Sequence, residues 1–345
     1  MNFGIRPVML SACLALAAEA LPAMADPVED FYRGKTLEMI IPASAGGDYD
    51  IRGRLLARHL PRFIPGKPTI VARNMPGGIG IAASNHMMKV APKDGTSLQI
   101  IFQNMPSLQG MGSQGVDFDV RKFGWIGNTT KSPNVITAWH TSGIKTIQDV
   151  MERELVVGAP GAASTSYIYP AALNQLVGTK FRIIAGYPGG NDVNLAMEKG
   201  EVGGRGSNSW ASWKSGHPHW IAEKKIYNLV QIALERAPDL PDVPLMLELA
   251  KNDEDKQVLT FLSADMGISR AFTTTPDVPA ERLAALRRAF DQLMQDPEFL
   301  AEAERTKMDL APSSGEEAQK VAESMLSNTP RVFQRAKAII ESGNK

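Results

Sequence analysis

The sequence predicts an α/β chain of two lobes, each a mostly parallel sheet flanked by helices. Three observations carry this. Short β-rich runs alternate with helical spacings between residues 36 and 102, and the same order returns between 155 and 199. The chain, at 345 residues, is longer than one ordinary core serves. Thr36–Ile41 (TLEMII) is the first strand, closed by Pro42 and Gly46-Gly47. Residues 51–62 follow with Leu55, Leu56 and Leu60 at helical spacing. Residues 69–72 form a second short strand, and the turn Pro76-Gly77-Gly78 leads into a helix near 80–90. Pro92-Lys93-Asp94-Gly95 then turns into a strand at 97–102.

Downstream, residues 155–157 read as a strand, 158–166 as a loop of small residues, and 167–177 as a helix. Phe181–Ala185 is the next strand, followed by Gly186-Tyr187-Pro188-Gly189-Gly190 and a helix over about 191–199. The end is largely helical, with amphipathic segments at 280–296, 297–306 and 315–341. The charged cluster at 251–256 reads as a solvated loop.

The amino terminus reads as an export signal. Arg6 precedes an apolar run holding Met9, Leu10, Leu14 and Leu16, and Ala23-Met24-Ala25 supplies a small-x-small site, so residues 1–25 are expected to be removed before Asp26. The run is short, contains Glu19 and is broken by Pro22, which argues against a membrane-spanning helix. Leu10-Ser11-Ala12-Cys13 has the form of a lipoprotein cleavage site. Arg6 leaves too few apolar residues ahead of Cys13 for that, which favours a free periplasmic protein. Removing the segment takes away the only cysteine, so the mature chain has no internal disulfide and rests on core burial. With 37 basic and 37 acidic residues the formal charge is zero, and no basic stripe points to nucleic acid.

Pro42 to Asp50 (PASAGGDYD) is a strand-to-helix turn whose small residues let a ligand approach the backbone. The following helix would aim its free N–H groups into a cleft, with Asp50 as an alternative helix cap. Gly161-Ala162-Ala163-Ser164-Thr165-Ser166 has the same logic in the second lobe, as a cap or as a set of anion donors. Each helix terminus adds only about 0.3–1 kcal/mol, up to about 2 when partly buried, so hydrogen bonds must supplement the dipoles. Asn104 could supply one and Arg205 a full charge. Trp210, Trp213 and Trp220 read as packing residues, Trp210 being the first candidate to line the cleft. Gly78-Ile79-Gly80-Ile81-Ala82-Ala83 has the outline of a dinucleotide fingerprint, but it sits in the second strand-helix turn with no acidic residue near twenty positions on, so tight packing is the better reading. His217-Pro218-His219 lacks a nearby third ligand for a metal. The absence of G-x-S-x-G, and of any thiol in the mature chain, argues against a hydrolase.

Several segments resemble the substrate-binding receptors of tripartite tricarboxylate transporters, the Bug-type extracytoplasmic solute receptors. They are the run from Lys35 through Ala57 with its P-x-x-A-G-G-x-x-D and R-L-L-A, then Asn74 to Gly80, Pro92 to Leu98, and Leu240-Pro241-Asp242-Val243-Pro244. The resemblance implies a type II Venus-flytrap fold with lobes joined by two crossover strands. It also implies a carboxylated ligand in the cleft and delivery to a two-component membrane permease. Carried over, the ligand would meet Ala45, Gly46, Gly47 and Asp50, and Ser164, Thr165 and Ser166, with Tyr187 and Gly189 matching a Y-x-G turn. Asp48 stands where the family commonly has glycine, Tyr49 where a small hydroxyl residue is usual, and Tyr167 replaces a common histidine. An anion about 4 Å from Asp48 would be opposed by roughly 4 kcal/mol at an effective dielectric near 20. Either Asp48 points away, then, or the ligand carries an amine, hydroxyl or cation there; Asp48 and Tyr49 are expected to set specificity.

The expectation is thus a monomeric, non-enzymatic receptor for a small organic acid, with no cofactor and no metal. Residues 26–130 and 266–345 would form lobe 1 and residues 131–265 lobe 2. The rival readings are a sensor module presenting its ligand to a membrane partner, and a secreted α/β enzyme using Asp48, Asp50 or His86 as acid or base.

Overall fold

The computed structural model describes Met1 and residues 26–342. The export signal, its cleavage site and Cys13 lie outside the described residues, apart from Met1. The chain enters through α1 (Pro27–Tyr32), β1 (Thr36–Ile41), α2 (Asp48–His59), β2 (Thr69–Asn74), α3 (Ile81–Lys89), β3 (Ser97–Ile100), α4 (Met105–Gly110) and β4 (Gly124–Asn128). It continues with β5 (Asn134–Trp139), α5 (Ile147–Glu152), β6 (Leu155–Ala159), α6 (Thr165–Leu176), β7 (Phe181–Ala185), α7 (Gly190–Glu198), β8 (Gly204–Ser209), α8 (Trp210–Gly216), α9 (Pro218–Ala222) and β9 (Ile226–Ile232). It returns through α10 (Asp253–Ser263), β10 (Ala271–Thr274), α11 (Ala280–Leu293), α12 (Pro297–Arg305), β11 (Ser313–Ser314), α13 (Gly315–Met325) and α14 (Pro330–Ser342).

These strands build two mixed sheets, in the orders β11-β4-β10-β3-β1-β2 and β7-β6-β8-β5-β9. Each has a parallel core, β2-β1-β3 in one and β7-β6-β8 in the other, because a helix returns the chain between successive strands. The antiparallel members, β4 with β10 and β5 with β8 and β9, adjoin the places where the chain passes from one sheet to the other. Two such crossings, after Asn128 and before Ala271, are hydrogen-bonded to each other: Thr129 N–H donates to Arg270 O at 3.1 Å and Ser269 Oγ to Thr130 O at 2.7 Å. One apolar cluster runs through both lobes, from Met105 and Leu108 to Ile168, Tyr169 and Met266.

Element boundaries depart from the sequence reading where polar or small residues carry the signal. Helix α2 begins at Asp48, three residues earlier than expected, with Gly47 as its N-cap and no side-chain cap, so Asp50 is not the cap. The acidic pair Asp48 and Asp50 in its first turn complements the positive end of the helix. The charged cluster at 251–256 is no loop: it opens α10, capped by the Asn252 side chain accepting from Asp255 N–H. The segment at 315–341 is two helices, parted ahead of Pro330. Helix α14, inside the segment assigned above to lobe 1, packs on α6 and α10 of the other lobe, with Arg335 paired to Glu254 and Asp255. No helix of the described residues is long and apolar enough to cross a membrane.

Candidate functional site

The loop between β1 and α2 is held open by its own hydrogen bonds. Gly46 takes φ +84°, a conformation that glycine adopts without strain, and its N–H donates to Asp50 Oδ2 at 2.8 Å. Asp50 also accepts from Arg54 Nε and Asn74 Nδ2, both at 2.8 Å, and Asn74 donates on to Ala43 O. Burial alone would raise the Asp50 carboxyl, but the Gly46 amide, Asn74 and Arg54 outweigh it and lower the pKa. Asp50 therefore shapes the loop from behind, while Ala45 and Gly46 are exposed and Gly47 is partly so.

Asp48 is not a bare negative charge. Its carboxylate accepts from Arg52 Nε at 3.1 Å and from Arg270 Nε, and both arginines are buried. Burial would raise this carboxyl, yet the two guanidiniums bring it down to about 2. Arg270 lies 4.2 Å above the Tyr49 ring and donates through Nη1 to Tyr49 Oη, Gln103 Oε1 and Ser269 O. Arg52 reaches Asp309 O at 3.1 Å, where the partly exposed Asp309 adds a second negative charge. The repulsion expected of Asp48 is thus cancelled inside the protein. Arg270 escaped the sequence reading because it sits in Gly267-Ile268-Ser269-Arg270, a segment without motif, and only the returning crossover brings it beside α2.

On the second lobe, Ser164 is the N-cap of α6, but its hydroxyl donates to Gly161 O at 2.6 Å and caps nothing. Ser166 turns inward, donating to Ser207 O at 2.8 Å, while Thr165 is partly exposed. Tyr187 packs against Gly158, where an added Cβ would stand 3.2 Å from its ring, and the partly exposed Gly189 is the N-cap of α7. Arg205, on β8, lies so close under the start of α7 that a Cβ at Gly190 would run into its guanidinium. Its Nη1 donates to Asn194 Oδ1 at 2.9 Å, and its guanidinium carbon is 5.7 Å from the Trp213 ring centre. No carboxylate pairs with Arg205 among the described residues, and both Arg205 Nε and Trp213 Nε1 are buried without a hydrogen-bond partner. Burial, with Arg270 adding repulsion, lowers Arg205 to about 10, so it stays cationic near neutral pH.

The two walls meet. Asn104 Nδ2 donates to Ala163 O at 2.9 Å, Asn191 Nδ2 to Gly46 O at 3.5 Å, and Arg270 Nη2 to Ser212 Oγ at 3.5 Å. Each of these bonds joins the first sheet's side or its crossover to the second. The structure thus brings Ala45, Gly46, Gly47, Asp48 and Tyr49 opposite Ser164, Thr165, Tyr187, Gly189 and Arg205, with Asn104 bridging. Asp50 and Ser166 support their loops from inside.

The remaining candidates fall elsewhere. Trp210 turns to Asp239, its Nε1 donating at 2.8 Å, and it is Trp213 that stands beside Arg205. Gly78, Ile79 and Gly80 all have positive φ, and Gly80 is pressed against Phe102, in keeping with packing. His217 points inward to Asn194, whereas His219 is exposed. His59, Asp296 and Glu298 lie near enough together to share a cation, but the Arg62 guanidinium already bonds all three. Asp48, ionised down to about pH 2, is no general acid or base near neutrality.

No family model matches the chain. The chain is 25% identical over 328 residues to a UPF0065 protein of Bordetella bronchiseptica, covering 92% of this chain and 87% of that one. Among solved structures it resembles a TctC solute binding protein from Polaromonas, with 21% identity, a TM-score of 0.61, and coverage of 90% of this chain and 99% of that one. It also resembles MatC from Rhodopseudomonas palustris with bound malate, with 18% identity, a TM-score of 0.66, and coverage of 89% and 99%. The fold is that of the periplasmic binding proteins.

Proposed function

We propose, for a chain that is a homologue of the UPF0065 proteins (the Bug and TctC kind of solute-binding protein) over 92% of its length, that it captures a small organic carboxylate between its lobes and hands it to a membrane permease. Arg205 is the observation that carries this reading. Arg205 is a half-buried cation whose Nε is buried without a partner and which no carboxylate offsets among the described residues, and an anion in the cleft is the group that would relieve it. The first turns of α2, α6 and α7 add free backbone N–H groups on either side. Because Asp48 is held by two arginines, an amine on the ligand is not required to offset it.

Malate, held by a protein of similar fold, makes a hydroxylated dicarboxylate the first compound to try. In mechanism, the ligand bridges the β1–α2 loop and the Arg205 wall, and the closed arrangement of lobes is favoured by as much as the ligand prefers it. Delivery from the periplasm to a two-component permease extends the same reading. These assignments make the protein a receptor, with no bond made or broken.

The test is thermal unfolding against mono-, di- and tricarboxylates, aromatic acids, amino acids and neutral polyols. A ligand at about 100 times its dissociation constant adds about 2.7 kcal/mol, which for a chain this size raises the midpoint by several degrees. A shift confined to one class of acid supports the reading and identifies the solute class. Shifts with amines or polyols and none with acids would overturn it.

A further inference from the structure

Arg205 is held by a relay whose hydrogen-bond directions are fixed by chemistry. Arginine can only donate, so the Asn194 oxygen, at 2.9 Å from Arg205 Nη1, must face it. The Asn194 amide NH₂ then faces His217 Nε2 at 3.0 Å, and that nitrogen must be a lone pair. His217 is therefore neutral, with its proton on Nδ1. Its ring is stacked on Trp220, centroids 4.1 Å apart and planes 22° apart, which leaves it little freedom to turn. Asn194 is itself only 5% exposed.

We propose that His217 is a positioning residue for the anion site, setting Arg205 through Asn194, and that protonation of His217 loosens the grip on the solute. This rests on the carboxylate reading above and adds a regulation to it. Once Nε2 carries a proton, two donors face each other across 3.0 Å. Either the ring is pushed off or Asn194 flips and turns its NH₂ toward Arg205; in both cases Arg205 loses its hold. The charge gained lies beyond Asn194, one side chain farther from the cleft than Arg205, so its pull on an anion is the weaker effect.

The groups facing His217 are Glu198 from α7, Arg205 from β8 and His219 from α9. Lys214 of α8 is tied to Asp239 at 3.0 Å, and Trp213 and Trp220 bring no charge. Burial first, then His219 and Arg205, lower the His217 pKa, and Glu198 opposes them only in part. The neutral form is accordingly the resident one near neutral pH, and the change falls below the ordinary imidazole range.

Two measurements test this. Nitrogen NMR of the ligand-free protein is expected to show His217 as the Nδ1–H tautomer near pH 7.5, with the Asn194 side-chain amide signals moving at the same midpoint as the imidazole. Calorimetric titration of malate into the protein and into His217→Gln, whose amide oxygen can accept from Asn194 without titrating, gives the second readout. The ratio of the two dissociation constants should be near one at about pH 7.5 and reach about tenfold, weaker for histidine, one pH unit below the imidazole midpoint seen by NMR. Protonation of malate itself weakens both proteins alike and cancels in the ratio. An Nε2–H tautomer, Asn194 signals indifferent to the His217 titration, or a ratio that stays flat or inverts would overturn the relay. If no acid of the unfolding panel binds either protein while the NMR coupling is seen, the carboxylate reading is what fails and the relay stands.

Discussion

At the level of single residues, the cleft is governed by how three arginines are compensated. Arg52 and Arg270 share Asp48, whereas among the described residues Arg205 has only the Asn194 amide oxygen. Replacing Arg205 with methionine removes an uncompensated charge and keeps most of the volume. The ligand-free midpoint is expected to rise by about 2–4 °C, for a gain of about 1 kcal/mol, while the shift produced by the cognate acid disappears. A midpoint that falls would mean the guanidinium is satisfied without ligand. Asp48→Asn should do the reverse, leaving two buried guanidiniums without their carboxylate and lowering stability by about 2–3 kcal/mol near neutral pH. The sign of its pH dependence follows from the depressed carboxyl. Stability from Asp48 is present above its ordinary pKa of 3.8 and is lost as pH falls toward about 2. Denaturant melts of the two proteins should therefore converge toward pH 2 and stand furthest apart above pH 4.

Among the elements, β8 shows both what local pattern conveys and where it stops. Its sequence, Gly204-Arg205-Gly206-Ser207-Asn208-Ser209, has no apolar residue and no β-branched one, so nothing local reads as strand, yet it is the central strand of its sheet. Gly206 is selected by a neighbour far away in sequence: a Cβ there would strike the Ser166 carbonyl in α6. Gly206→Ala should push α6 off the sheet and lower stability by at least about 2 kcal/mol, with the midpoint shifted and the denaturant slope unchanged. An alanine tolerated without loss would mean that α6 has room to move. By contrast, β1, β7 and the β1–α2 turn were legible because short β-rich runs and the glycine pair are local signals. The loop residues of the candidate site came with that turn. Arg270 could not, since its place depends on a crossover that joins it to Asp48 over 222 positions. The start of α10 carried a readable cap, Asn252 three residues before Asp255, beneath a run of charges that resembled solvated loop.

For the molecule as a whole, the junction between the lobes holds a carboxyl that no cation compensates among the described residues. Asp265 is 1% exposed and lies on the short turn Ala264–Ile268 that leads from α10 into the returning crossover. Ser107 Oγ, on α4 of the first lobe, donates to its Oδ1, and Tyr169 Oη, on α6 of the second, reaches its Oδ2 at 3.4 Å. Burial raises its pKa well above 3.8 and the two hydroxyls recover only part of that. The folded state therefore keeps a proton that the unfolded chain gives up above the ordinary carboxyl range. Stability contributed at that site is full below 3.8 and falls as pH rises toward the folded-state value. Asp265→Asn has the same shape, can accept from Ser107 and donate to Tyr169, and has no proton to lose. It should match the parent protein near pH 4 and exceed it increasingly as pH rises toward 7–8, seen as a higher midpoint. Because both bonds to the lobes are retained, the change in scattering profile on adding the cognate acid should be the same in both proteins. A variant that is less stable at pH 8, or that no longer compacts, would show instead that an ionised Asp265 is part of the junction.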